Sequence, residues 1–180
     1  MLSLSKRLAV ISKIVTKDEN LGKTALMKYI YLLQQVYKVP IGYDYEIYTY
    51  GPYSPEVTGD INLAADFDVI KLTYSSKHTG YEMQKTTQTE YFIAREKDFI
   101  DNHGDSISDV IRMFGGKTTK ELELSTTIIY LYCTHLYNKR DTSIGEVSKK
   151  VRAIKPHFST EVIETEYRNL ESLGILAKAG

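Results

Sequence analysis

Residues Tyr43-Asp-Tyr-Glu-Ile-Tyr-Thr-Tyr50-Gly-Pro-Tyr-Ser-Pro-Glu-Val-Thr-Gly-Asp60 decide how the chain is read. The stretch opens as a strand: Tyr43, Tyr45, Ile47 and Thr49 alternate with Asp44, Glu46, Tyr48 and Tyr50, so the two sets face opposite ways. Gly51-Pro52 is expected to end the strand, since proline has no N–H for a ladder. Ser54 then reads as a helix N-cap. Pro55 at the first helical position and Glu56 in the first turn suit the orphan donors and the dipole there. The product is a rigid strand–turn–helix junction carrying Tyr48, Tyr50 and Tyr53.

Upstream, Leu4, Leu8, Ile11 and Val15 recur at helical spacing over 3–16. A second helix is expected over 23–38, apolar on most sides and therefore buried on most sides. Downstream, the Ser54 helix is expected to run to Ala65 or Asp66. Strands are expected over 68–74, 81–85 and 90–93, with a turn at 75–80 holding Lys77 and His78. This order predicts a winged-helix-like N-terminal half, 1–114, whose small β-hairpin is the wing. Helical segments broken at Gly104 follow, up to Gly115-Gly116. A helical, helix-turn-helix-like half over 117–180 then packs against the first, or the two merge into one compact domain. Its helices are expected over 119–137, after Ser143 up to Pro156, and after Ser159, with Gly174 as a left-handed C′ residue. The fold class is mainly α with a small sheet (α+β).

The 180 residues hold 23 basic and 23 acidic side chains, a net charge of zero, which argues against strong non-specific binding to nucleic acid or membrane. The balance is uneven. Residues 61–114 carry 6 basic and 9 acidic groups, whereas 115–158 carry 8 basic and 4 acidic. The lone Cys133 forms no internal disulfide and fits a reducing cytoplasm. No apolar run reaches the roughly 18–20 residues of a membrane span, and no signal peptide is expected.

No catalytic constellation emerges. Gly22-Lys23-Thr24 resembles the end of a phosphate loop, but the position that needs the first glycine is Lys17. His78, His103, His135 and His157 lack metal-ligand spacing. Asp66 and Asp68 are ordinary turn acids, Ser54 is a cap rather than a nucleophile, and Cys133 reads as a core thiol. Neither a metal nor a cofactor is implied. Fifteen tyrosines and no tryptophan are unusual, and eight tyrosines fall within 29–53. Such a cluster serves either as a core edge or as a protein-binding patch, because tyrosine brings contact area at low entropic cost.

The apolar helix Leu26-Met-Lys-Tyr-Ile-Tyr-Leu-Leu-Gln-Gln, the strand after it, and Tyr50-Gly-Pro-Tyr-Ser-Pro-Glu-Val57 resemble the Panacea-domain (SocA-like antitoxin) and YwgA-like bacterial proteins. Leu122-Glu-Leu-Ser-Thr-Thr-Ile-Ile-Tyr-Leu-Tyr and Lys155-Pro-His-Phe-Ser are similar to the YwgA-like tail. The resemblance implies a mostly helical, non-enzymatic protein that acts as an antitoxin or defence-associated adaptor on a protein partner. Tyr48, Tyr50, Gly51, Pro52, Tyr53 and Glu56 are the expected partner-binding residues, the partner being a toxin or defence component or a second copy. The alternative is a winged-helix DNA-binding regulator. It would use Lys71, Lys77 and Lys85 on the hairpin and Lys149, Lys150, Arg152 and Lys155 on the helix before Pro156. The helix after Ser159 is too acidic to enter a groove.

Overall fold

In the computed structural model, which describes residues 2–75 and 80–180, the protein is mainly α with a small antiparallel sheet. Helix α1 (Leu4–Lys17) buries Leu8, Ile11, Ile14 and Val15. A two-residue strand β1 (Leu21–Gly22), too short to leave a period in the sequence, leads into α2 (Lys23–Gln35). As expected, α2 is buried along Leu26–Leu33. After a loop come β2 (Glu46–Tyr48), β3 (Gly51–Tyr53) and α3 (Pro55–Asp66). Then β4 (Ile70–Ser75) and β5 (Gly80–Lys85) pair, and β5 also pairs with β1, giving the order β1-β5-β4. Residues 76–79, the expected turn with Lys77 and His78, lie outside the described residues.

Three expectations are corrected. The strand starting at Tyr43 does not end at Gly51-Pro52. It forms a ladder only over Glu46–Tyr48 and turns at Thr49-Tyr50, and Gly51–Tyr53 pairs back on it with Ile47 opposite Pro52. The missing proline donor is tolerated because the hairpin is a two-stranded ribbon with no further strand beyond β3. The segment 90–93 is not a strand but part of α4 (Thr87–Arg95). Thr86 and Thr89 form a reciprocal capping box there, and local capping overrides the run Tyr91-Phe92-Ile93. Helix α5 (Lys97–Phe114) runs unbroken through Gly104, where an added Cβ would meet nothing within 4 Å. Its interior glycine costs helix propensity alone, which the buried Ile100, Ile107, Val110 and Phe114 outweigh.

Past Gly115-Gly116 the helices follow the expected bounds: α6 (Thr119–Tyr137), α7 (Ile144–Ile154) and α8 (Thr160–Ser172). Gly174 takes the left-handed conformation at φ 70°, and a short α9 (Ile175–Ala179) follows. Helix α6 packs on α2 and β3 on one side and on α7, α8 and α9 on the other. One apolar core therefore continues from Leu8 and Leu32 through Ile128 to Ile163 and Leu170.

Polar links, most of them part-buried, fix the approach to the β2–β3 hairpin. Arg7 of α1 grips the Asp60 carboxylate of α3 at 2.6 and 3.2 Å, and the Tyr43 hydroxyl donates to the same carboxylate. Both oxygens of Asp60 are thus engaged in a planar fork that suits a guanidinium. The Gln34 side chain accepts from the Gly42 and Tyr43 amides, each at 2.9 Å, and donates to the Tyr43 carbonyl at 2.8 Å. Among the described residues, no helix is long and apolar enough to cross a membrane.

Candidate functional site

The β2–β3 hairpin is short, and a two-stranded ribbon of this length is marginal in water unless other elements hold it. Here two buried cations hold it. Lys28, in the middle of apolar α2, donates to the Pro52 carbonyl at 2.5 Å. Lys155, at the C-terminus of α7, donates to the Tyr48 carbonyl at 2.9 Å and also to that of Thr49. Both lysines are at most 3% exposed, so neither is a solvated surface charge. Their counter-charge is Glu123 of α6, also buried, whose Oε1 lies 2.9 Å from Lys155 Nζ and 3.4 Å from His157 Nε2. The Lys155 contact is close but not aligned as a hydrogen bond, so it acts through charge. Two ammonium groups and one carboxylate leave a local excess of positive charge, which the hairpin carbonyl dipoles offset. Burial, then the neighbouring Lys155, pulls the Lys28 pKa down to about 8, while Glu123 opposes the fall.

Gly51 locks the third contact. Its φ is +89°, a region that costs a residue with a Cβ. A Cβ built there would also stand 3.2 Å from the hydroxyls of Thr126 and Thr127 and 3.4 Å from the Glu123 carbonyl oxygen. The hairpin backbone therefore lies directly on α6, and glycine is required both for the turn and for the approach.

With its backbone fixed, the hairpin presents its side chains outward. Exposure alternates from Tyr43 to Tyr48 as the period-two reading predicts. Tyr48 is 68% and Tyr50 58% exposed. Tyr53 is half-buried, its ring 5.7 Å from that of Tyr48 and its hydroxyl 3.3 Å from Thr58 Oγ1. Beside them is a pocket of about 240 Å³ whose lining includes Lys23, Met27, Lys28, Tyr48, Tyr50 and Tyr53. Of the expected partner-binding residues, Tyr48, Tyr50 and Glu56 are exposed, and the Glu56 carboxylate accepts from the Asp44 amide at 3.3 Å. Gly51 and Pro52 are buried and act as framework.

The basic set is not assembled on one surface. Lys155 is buried beneath the hairpin. Lys85 pairs with Glu19 at 2.9 Å. Arg152 donates to the Pro156 and Phe158 carbonyls. Lys71, Lys149 and Lys150 are exposed, and Lys77 is outside the described residues. Ser54 sits at the N-cap of α3, but its hydroxyl makes no capping bond and is buried without a partner. Cys133 is partly buried, with burial pushing its thiol pKa up, which is the opposite of nucleophile activation.

The buried triad of Lys28, Glu123 and Lys155 is what sequence reading missed. Its signal was present: each of Lys28 and Glu123 is a charge inside an apolar helical run, Leu26–Leu33 and Leu122–Leu124. Such a residue on a helix buried all round has to find a partner. Which partner it finds is a tertiary fact. Comparison with protein-family models gives no match for the chain, and comparison with curated proteins gives none either.

Proposed function

We propose that the protein is a non-enzymatic protein-interaction module that docks a protein partner on the β2–β3 hairpin, in the manner of an antitoxin or adaptor. The observation that carries this reading is the exposure of Tyr48 and Tyr50 on a hairpin whose carbonyls are clamped by buried Lys28 and Lys155. A rigid backbone lowers the ordering cost of binding, and tyrosine, with tryptophan and arginine, is enriched among the residues that anchor interfaces. The adjacent pocket of about 240 Å³ offers a partner side chain a place to insert. The test is capture from nuclease-treated extract of the source cells with tagged protein. The expected result is one stoichiometric protein partner, lost in a Tyr48→Ala/Tyr50→Ala variant that still melts cooperatively. A partner retained by that variant overturns the proposal. Tyr53 is left intact because it supports the hairpin.

The second reading, a winged-helix DNA-binding regulator, draws support from the N-terminal element order: helix, strand, helix, the β2–β3 hairpin, helix, strand, strand, with the sheet order β1-β5-β4. The charges speak against it. Helix α3 exposes Glu56 and Asp66 and carries no lysine or arginine, which repels phosphate. Retention on duplex DNA at low salt, falling with a log–log slope of about −0.9 per phosphate neutralised, would favour this reading over the first.

A further inference from the structure

A second concavity, of about 340 Å³, lies between α2, the segment before β2, and α6, and shares no lining residue with the pocket beside Tyr48 and Tyr50. Tyrosine rings form its walls. Tyr31 and Tyr45 meet edge to face at 5.0 Å and 73°, and Tyr130 lies tilted at 6.4 Å from Tyr31. Tyr137 stands exposed among the lining residues. Among the described residues, Asp44 is the one charged side chain in the lining, and Glu46 is near enough to act on the Tyr130 hydroxyl. Among the described residues, neither lysine nor arginine lines the cavity. Lys38, which acts on Cys133 at its edge, is held on the Ala179 carbonyl at 2.8 Å. The hydroxyls of Tyr31 and Tyr45 are buried behind this wall and have no hydrogen-bond partner among the described residues. Burial pushes the pKa values of Tyr31, Tyr45 and Tyr130 up, so these side chains are neutral phenols.

We infer that this tyrosine-walled cavity is a binding site for a small organic ammonium ion. The accessible rings of Tyr45, Tyr130 and Tyr137, an acid in the lining and no competing cation among the described residues suit cation–π recognition of an alkylated ammonium. A neutral ligand of the same shape would gain the packing but not the ring quadrupoles or Asp44.

The test is titration of the full chain by NMR or calorimetry with choline and with 3,3-dimethyl-1-butanol, its uncharged carbon isostere. Choline is expected to bind about tenfold more tightly than the isostere. Tyr130→Leu, which removes one half-exposed wall, is expected to abolish that preference while the melting temperature holds. Asp44→Asn, at an exposed position, is expected to weaken choline without affecting the isostere. A short peptide bearing trimethyllysine forms a further arm. Tighter binding of the peptide identifies a modified protein side chain as the source of the ammonium group, and tighter binding of choline a free compound. Equal affinity for choline and the isostere, or no binding of choline or the peptide at millimolar concentration, overturns the inference.

Discussion

Lys28 is a positive charge inside an apolar helix, and its titration should be visible in the stability of the whole protein. Its pKa is about 8 in the folded chain against 10.5 when unperturbed. Between these values the unfolded chain binds more protons than the folded one, so this group makes stability rise with pH. The slope is at most about 1.4 kcal/mol per pH unit. Above pH 10 the buried tyrosines, whose pKa values are raised, act in the opposite direction, so the window is pH 8 to 10. Urea denaturation across it should show wild type gaining stability relative to Lys28→Met. Parallel curves would refute the buried-cation assignment. Glu123→Gln leaves two ammonium groups facing one another and should cost about 3 kcal/mol at neutral pH. Because Lys28 then sheds its proton more readily, that loss should shrink at pH 9.5. Gly51→Ala meets both a left-handed φ and the two threonine hydroxyls of α6, and should cost about 2 kcal/mol in the same assay. A neutral Gly51→Ala would mean that the hairpin does not rest on α6 as described.

At the scale of elements, capping separates what the sequence made legible from what it hid. The bounds of α6, α7 and α8 were readable because long apolar runs are punctuated by Gly115-Gly116, Ser143, Pro156 and Ser159, although the Ser143 hydroxyl, like that of Ser54, makes no capping bond. Thr118 and Glu121 do form a reciprocal capping box, with the Thr118 amide donating to the Glu121 carboxylate at 2.7 Å. Ser54 looks equally good in sequence, yet its hydroxyl caps nothing, since Pro55 and the packed hairpin set the start of α3 instead. Thr118→Ala is therefore expected to destabilise by about 1 kcal/mol. Ser54→Ala should stay within about 0.5 kcal/mol of wild type. Reversed sizes in thermal denaturation would show that the Ser54 hydroxyl does cap α3. The β2–β3 turn was hidden for a related reason. Alternation over 43–50 has the same period in one long strand as in a strand that turns back, and the tertiary contacts with Lys28, Lys155 and α6 select the hairpin. Strand β1 was invisible because two residues carry no period, and α4 because its apolar triplet fits a strand as well as a helix.

At the scale of the molecule, α6 is the shared wall. It carries Glu123 under the hairpin, the threonines against Gly51, and Tyr130 and Cys133 at the tyrosine-walled cavity. The tyrosine excess noted in the sequence divides in two. Tyr29, Tyr31 and Tyr43 are buried, whereas Tyr48 and Tyr50 stand in solvent. Composition announced the excess, but only the fold distinguishes the structural rings from those free to bind. Large exposed aromatics on a clamped backbone are the feature from which the proposed docking role follows. The most direct measurement is the affinity of wild type and of Tyr48→Ala/Tyr50→Ala for the partner captured from extract, by calorimetry, alongside their melting temperatures. A hot spot on the hairpin predicts that the double variant melts as wild type does and binds at least tenfold more weakly. Equal affinities with equal melting temperatures would contradict it and move the partner's contact to another face.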